Sequence, residues 1–346
     1  MTGSTNFKNS DRGRNIREGD AFPIWVEAFH NFYKDFPAEF YKNYNSARSQ
    51  ENRDDRCPVL WKAVGDELVF CGLVGSKLSV KLAIDQFQKT LYSYRKRLQD
   101  DHYPLDLKGA AWVASFPFPN LTVELKPVAP ELSVASDGEE QDGDAAGQLL
   151  AASEALERAA DQSPFDFDFL GKAIDTGFRV ASNATKERFL LSVQLARIVL
   201  TIDSMKDQVR IDQPVEMKGV NSGEPYPLLY LDTLKHLKTI EIRQSARSLF
   251  SGGTHDASEI LNYVNQYCRA VGTDEFELAE EPSSGELEPP QFYLDQVPSV
   301  ARFLEQEAAS ERQIKEAAQA DDTASTSELE GASSLKPLSS SSDESS

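Results

Sequence analysis

The stretch Pro58-Val-Leu-Trp-Lys-Ala-Val-Gly-Asp-Glu-Leu-Val-Phe-Cys-Gly-Leu73 decides how the rest of the chain is read. Two apolar runs flank the dipeptide Gly65-Asp66, and a Gly-containing pair between two such runs predicts a β-hairpin. On its C-terminal side, apolar residues stand at Val80, Ile84, Phe87, Leu91, Tyr94 and Leu98. Steps of four and three predict an amphipathic helix within residues 74–98. Arg95, Lys96 and Arg97 put positive charge in what reads as its last turn, where the helix dipole favours it. Leu105 to Phe116 then reads as a strand, stopped by Pro117 and Pro119. On the N-terminal side lies a charged loop, 47–56, and before it an aromatic-rich helix within 20–46. Trp25, Phe29, Phe32, Phe36 and Phe40 mark that helix, and Pro37 interrupts it or starts its second piece.

The second half repeats the alternation. Residues 129–162 are rich in Ser, Ala, Gly and acids and read as a flexible insertion, with a short helix within Gln148–Arg158. Order returns at Phe165-Asp-Phe-Asp-Phe-Leu-Gly171, followed by a helix over 172–184. Phe189 to Leu200 is apolar and fits a strand or a helix. Pro227 to Leu231 predicts a short strand, and 257–270 a helix. The expected fold class is α+β, with a largely antiparallel sheet flanked by helices. The folded domain is expected over 1–128 and 163–273, and 274–346 is expected to be an acidic tail, disordered after about 310.

The 346 residues carry a net charge of −20, from 36 Lys and Arg against 56 Asp and Glu. Segments 131–162, 274–288 and 305–346 contribute −8, −7 and −7, so the remainder is close to neutral at about +2. The acidity is therefore a property of linkers and tail. No basic stripe suggests nucleic-acid binding, and no apolar run is long enough to span a membrane. The first residues lack the apolar core of a secretory signal, and the three cysteines, Cys57, Cys71 and Cys268, have no disulfide spacing. A cytoplasmic protein is the expectation.

Walker, G-x-G-x-x-G, H-E-x-x-H and C-x-x-C motifs are all absent. Three clusters remain. Asp66 at a hairpin tip offers hard oxygen donors to Mg²⁺ or Mn²⁺, although an ordinary Gly-Asp turn has the same sequence. Asp175 and Arg179 stand four apart on one predicted helix face, either as a surface ion pair or with the guanidinium free to grip phosphate. Gly3-Ser4-Thr5 offers main-chain N–H groups to a phosphate ahead of a helix, or is a polar terminus.

Taken in order, these elements resemble the class III nucleotidyl cyclase domain over roughly residues 1–200. Met1-Thr-Gly-Ser-Thr-Asn-Phe7 is similar to the phosphate loop that follows the family's first strand. Lys62, Gly65 and Asp66 match K-x-x-G-D. Asp168, Gly171 and Arg179 match D-x-x-G-x-x-x-N-x-x-x-R, with Asp175 in place of the Asn. The form of this last motif most resembles the pyrimidine cyclases of the Pycsar anti-phage systems.

The resemblance implies a cyclase-like sandwich and a homodimer with its sites at the interface. It implies a nucleoside triphosphate substrate, UTP favoured, two Mn²⁺ or Mg²⁺ ions per site, and a cyclic product that activates a separate effector. Asp66 would be a metal ligand. Gly3, Ser4, Thr5 and Phe7 would form the phosphate loop, Lys62 and Asp168 would read the base, and Asp175 and Arg179 would serve catalysis. The family's first metal Asp, at the end of a first strand, is expected immediately before Met1. Adenylate or guanylate cyclase, and a nucleotide-sensing module without turnover, are the alternatives.

Overall fold

A hairpin does form at the expected place. In the computed structural model β1 (Val59–Val64) pairs antiparallel with β2 (Glu67–Cys71), and Gly65 takes a positive φ of 60° at the tip. The structure describes residues 1–17, 21–51, 55–125, 145–221, 224–233, 256–273 and 277–281, with scattered positions between 294 and 310. The acidic stretch 129–144, most of 274–288 and the tail beyond 310 lie outside these residues.

Two short helices, α1 (Ser4–Asn9) and α2 (Asp11–Arg14), precede α3 (Ile24–Gln50). Helix α3 is one continuous helix of 27 residues with Pro37 inside it, so the proline neither ends nor restarts it. After the hairpin, α4 runs over Lys77–Asp100, and Ser76 caps it in a reciprocal bond pair with Ser79. α3 and α4 pack through the aromatic positions read from the sequence. The ring centres of Phe36 and Phe87 lie 5.6 Å apart, and those of Phe32 and Tyr94 5.7 Å apart. Each such buried side chain contributes roughly 1.5–3 kcal/mol.

The last-turn reading of Arg95 is corrected. Helix α4 continues past it to Asp100, and Arg95 is buried. Its guanidinium donates to Asp106 at 2.5 Å and to the carbonyls of Leu107 and Lys186 at 2.7 and 2.8 Å. The charge is buried because all of these acceptors meet it there.

The strand expected from Leu105 to Phe116 shrinks to β3 (Ala110–Ala111). The ambiguous run Phe189–Leu200 divides at Ser192, which caps a helix. β6 (Arg188–Leu191) precedes it and α7 (Val193–Leu200) follows. β7 (Val209–Val215) and β8 (Tyr226–Asp232) complete a four-stranded sheet of order β3-β6-β8-β7. Its β3/β6 pair is parallel and its other two pairs are antiparallel. β8 holds the buried Leu229, Tyr230 and Leu231, as a central strand covered on both faces should. Pro227 lies where the β7/β8 register shifts, so its missing N–H interrupts little. The final described helix of this unit, α8 (Ala257–Val271), packs on α7 through Ile260, Val264 and Cys268.

A second antiparallel pair joins β4 (Leu121–Glu124) to β5 (Phe167–Leu170). The helix expected within Gln148–Arg158 is longer, α5 (Ala145–Gln162). Ala160 is buried, and Thr122 donates to Glu157 at 2.7 Å, so this end of the acidic segment is ordered. The chain is thus a mixed α/β protein with antiparallel sheets. It divides into a main unit, Met1–Ala135 with Ala155–Glu288, and a second unit, Ser136–Glu154 with Pro289–Ser346. Described residues of the second unit are helical.

Candidate functional site

Two of the singled-out acids acquire partners from far along the chain. Lys62 on β1 and Asp168 on β5 form an ion pair at 2.6 Å, across 106 residues of sequence. Both are about one-third exposed, at 32% and 33%. Trp61 sets the geometry. Its indole N–H donates to the Phe167 carbonyl at 3.0 Å, tying β1 to β5, and the Lys62 ammonium lies 3.9 Å from its ring centre. Asp168 also accepts the main-chain N–H of Phe169 at 2.9 Å. The pair presents a cation and a carboxylate side by side beside aromatic rings, which can hydrogen-bond a heterocycle's donor and acceptor edge.

The second pairing joins the hairpin tip to the first residues. The Met1 amino group lies 3.3 Å from the Asp66 carboxylate, and the Ser4 hydroxyl stands close enough to favour its charged form. Burial works to raise the Asp66 carboxyl, but Ser4 and the Met1 charge outweigh it. The group sits below its ordinary value and is ionised. The Tyr33 hydroxyl donates to the Gly65 carbonyl and holds the turn on α3. Gly3 takes a φ of 80°, and a Cβ there would stand 2.8 Å from the Pro104 carbonyl oxygen. Only glycine suits that position. Gly3 therefore leads into α1, which opens with Ser4 and Thr5, and Ser4 stands beside Asp66.

The Phe7 side chain, unlike theirs, is turned into the core. It is 1% exposed and packs edge-on to Tyr103 at 5.8 Å, so it anchors α1 from beneath.

Asp175 and Arg179 lie on α6 (Lys172–Ser182). Both are exposed, and no ion pair joins them among the described residues. The Arg179 guanidinium lies beside Gly219. The start of α6 shows why its motif needs glycine. Gly171 has a φ of 142°, and a Cβ there would fall 2.3 Å from the Asn120 side-chain oxygen. That same oxygen accepts the Ala173 N–H at 3.1 Å, capping the helix in place of its own first residue. At Gly177 a Cβ would fall 2.3 Å from the Trp112 ring, so α6 rides directly on Trp112. Asn120 escaped the sequence reading because an isolated Asn after a proline-rich turn has no periodicity to mark it.

The acids do not gather for metal. Among the described residues no group of three or more His, Cys, Asp or Glu stands together. The Asp66 carboxylate is a hard oxygen donor of the kind a divalent cation takes. The sets Ser4/Asp66 and Lys62/Asp168 are each assembled by the fold, and α6 reaches the second of them through Phe178, whose ring centre lies 5.8 Å from the Lys62 ammonium.

Comparison of the chain with protein-family models, with curated proteins and with solved structures finds no match.

Proposed function

We propose that this chain is a nucleotide cyclase of the class III type, taking a pyrimidine ribonucleoside triphosphate, UTP favoured, and making a 3′,5′-cyclic monophosphate as an anti-phage signal. One observation supports this above the rest. Residues drawn from three separate motifs meet in the pairs the chemistry needs, Ser4 with Asp66 and Lys62 with Asp168. In this reading the α1 start cradles the phosphates and Lys62 with Asp168 reads the base. The ribose 3′-oxygen bonds to the α-phosphorus, the bond from that phosphorus to the β-phosphate's bridging oxygen breaks, and pyrophosphate leaves. The 3′-hydroxyl proton passes to solvent. Asp66 would be a ligand of the Mg²⁺ or Mn²⁺ ions, two per site, which would supply charge neutralisation on the phosphates. Arg179 stabilises the transition state across a homodimer interface, with Asp175 beside it. A cytoplasmic homodimer in a cyclase-like sandwich, signalling to a separate effector, completes the proposal.

A second reading is a nucleotide-sensing module without turnover, since among the described residues no group of three or more His, Cys, Asp or Glu stands together. One assay separates the two. The protein, expressed with its reading frame upstream of Met1 retained, is incubated with Mn²⁺ and all four ribonucleoside triphosphates, and products are separated by mass. Cyclic UMP or CMP that falls about 10²-fold or more in Asp66→Ala supports the first reading. Cyclic AMP or GMP moves the substrate to a purine. Binding of a nucleotide without any cyclic product supports the sensing module.

A further inference from the structure

Lys8 belongs to none of the clusters drawn from the sequence. It stands one turn after Ser4 on α1, so the two side chains share a face of that helix. A helical side chain leans towards the N-terminus, which carries Lys8 back over the turn that Ser4 opens. Lys62, Lys77 and Lys81 each meet a carboxylate at 2.6 Å. Lys8 meets aromatic rings instead. Its ammonium lies 4.2 Å from the ring centre of Phe29 and 5.7 Å from that of Trp25, with no carboxylate at ion-pair distance among the described residues. The side chain is only half-buried, so its charge is open to a solute.

Those rings lead back to the hairpin tip. Phe29 and Tyr33 are one turn apart on α3, and the Tyr33 hydroxyl donates to the Gly65 carbonyl. The next residue is Asp66, which Ser4 stands beside. Ser4 returns the path to Lys8, one turn further on. The contacts thus close a ring through Lys8, Phe29, Tyr33, Asp66 and Ser4. An ammonium, a carboxylate and a hydroxyl stand on that ring, and none is sealed from solvent. The Asp66 side chain is 26% exposed, and Ser4, Tyr33 and Lys8 are half-buried. The local charge favours an anion. Lys8, Arg12, Arg14 and Arg17 against Asp11 give the side chains of residues 1–17 a net charge of +3, in a chain of −20.

We infer that Lys8 binds the terminal phosphates of the nucleoside triphosphate, swinging off the Phe29 ring to reach them. The inference rests on the proposed function and adds to it a residue that tells a triphosphate from a monophosphate. A lysine ammonium is a point charge with three donors on a flexible stem, which suits the mobile end of a phosphate chain. Its contact with Phe29 is a partly solvated cation–π interaction, and a charge-assisted bond to phosphate replaces it favourably. Asp66 by itself repels phosphate, and Lys8 sets the opposite charge across the ring from it. The cyclic product carries a single phosphate and makes no such contact. Lys8 therefore holds substrate more firmly than product.

The test reads binding rather than turnover. Calorimetry in Mg²⁺ compares UTP, UMP and inorganic tripolyphosphate on the full 346-residue chain and on Lys8→Gln, Lys8→Arg and Arg14→Gln. Lys8→Gln is expected to weaken UTP and tripolyphosphate about tenfold and UMP less than about twofold. Lys8→Arg keeps the cation and is expected to hold UTP within about threefold of the unaltered chain. Arg14→Gln removes the same charge from α2 and is expected to change all three by less than about twofold. If Lys8→Gln does not fold, Lys8→Met, which keeps an unbranched stem on Phe29, takes its place with the same expectation. Equal losses for UTP and UMP, unchanged UTP binding in Lys8→Gln, or an equal loss in Arg14→Gln overturns the inference. The proposed function can fail separately. Tripolyphosphate bound through Lys8 by a chain that binds no nucleotide sinks the cyclase reading and leaves Lys8 as a polyphosphate-binding residue. A chain that binds neither overturns both.

Discussion

Lys62 and Asp168 are 106 residues apart and 2.6 Å from contact, whereas Asp175 and Arg179 are four residues apart on one helix and form no ion pair. The difference lies in what surrounds each pair. Trp61 bonds β1 to β5 and gives the Lys62 ammonium an aromatic face, so the fold itself orders both groups. Asp175 and Arg179 stand in water, where pairing two mobile side chains gains almost nothing. Proximity in sequence gives reach, but only packing gives a reason to meet. The exposed pair stays open to a phosphate or a second subunit, which suits the role proposed for Arg179.

The comparison is broken most severely from below. Arg95→Met removes the buried guanidinium that joins α4 to Asp106, Leu107 and Lys186, and leaves Asp106 without its cation. A loss of about 3–5 kcal/mol is expected in urea unfolding. Gly171→Ala comes next. Its φ of 142° and the close approach of Asn120 predict a loss of about 1–3 kcal/mol, also read in urea, with fraying of α6 in amide exchange. Lys62→Met tests the long-range pair itself. Stability is expected to fall by no more than about 1 kcal/mol, because both groups are partly solvated, while calorimetry is expected to show UTP affinity falling about tenfold. The smallest structural effect belongs to Asp175→Ala and Arg179→Ala. Each is expected to leave stability within about 0.5 kcal/mol, so any loss of cyclic product reports chemistry rather than folding.

Much of this was legible in residue order. The four-and-three steps of α4, the apolar runs flanking Gly65-Asp66 and the helix after Gly171 all formed where their patterns lie. Local patterns carry local structure. Ser192 between Leu191 and Val193 is the cap that splits the ambiguous run, and a polar residue in an apolar stretch was the available signal. Other features depend on tertiary partners. Arg95 reads as a solvated charge until Asp106, Leu107 and Lys186 converge on it. Phe7 reads as part of a loop until Tyr103 packs against it. The Lys62–Asp168 contact has no spacing rule at all, since it depends on how β5 meets the hairpin. The resemblance that brought those two residues together as a site remains the basis of the functional proposal.

The Lys62 ammonium resting 3.9 Å from the ring of a buried Trp61 has an optical consequence. Indole emission shifts with the charge near its ring, and here that charge belongs to a side chain proposed to reach for a nucleotide base. A ligand that draws Lys62 away alters the colour and yield of one indole among three. In the proposed function, occupancy is therefore expected to be readable from that indole by titration without any added label.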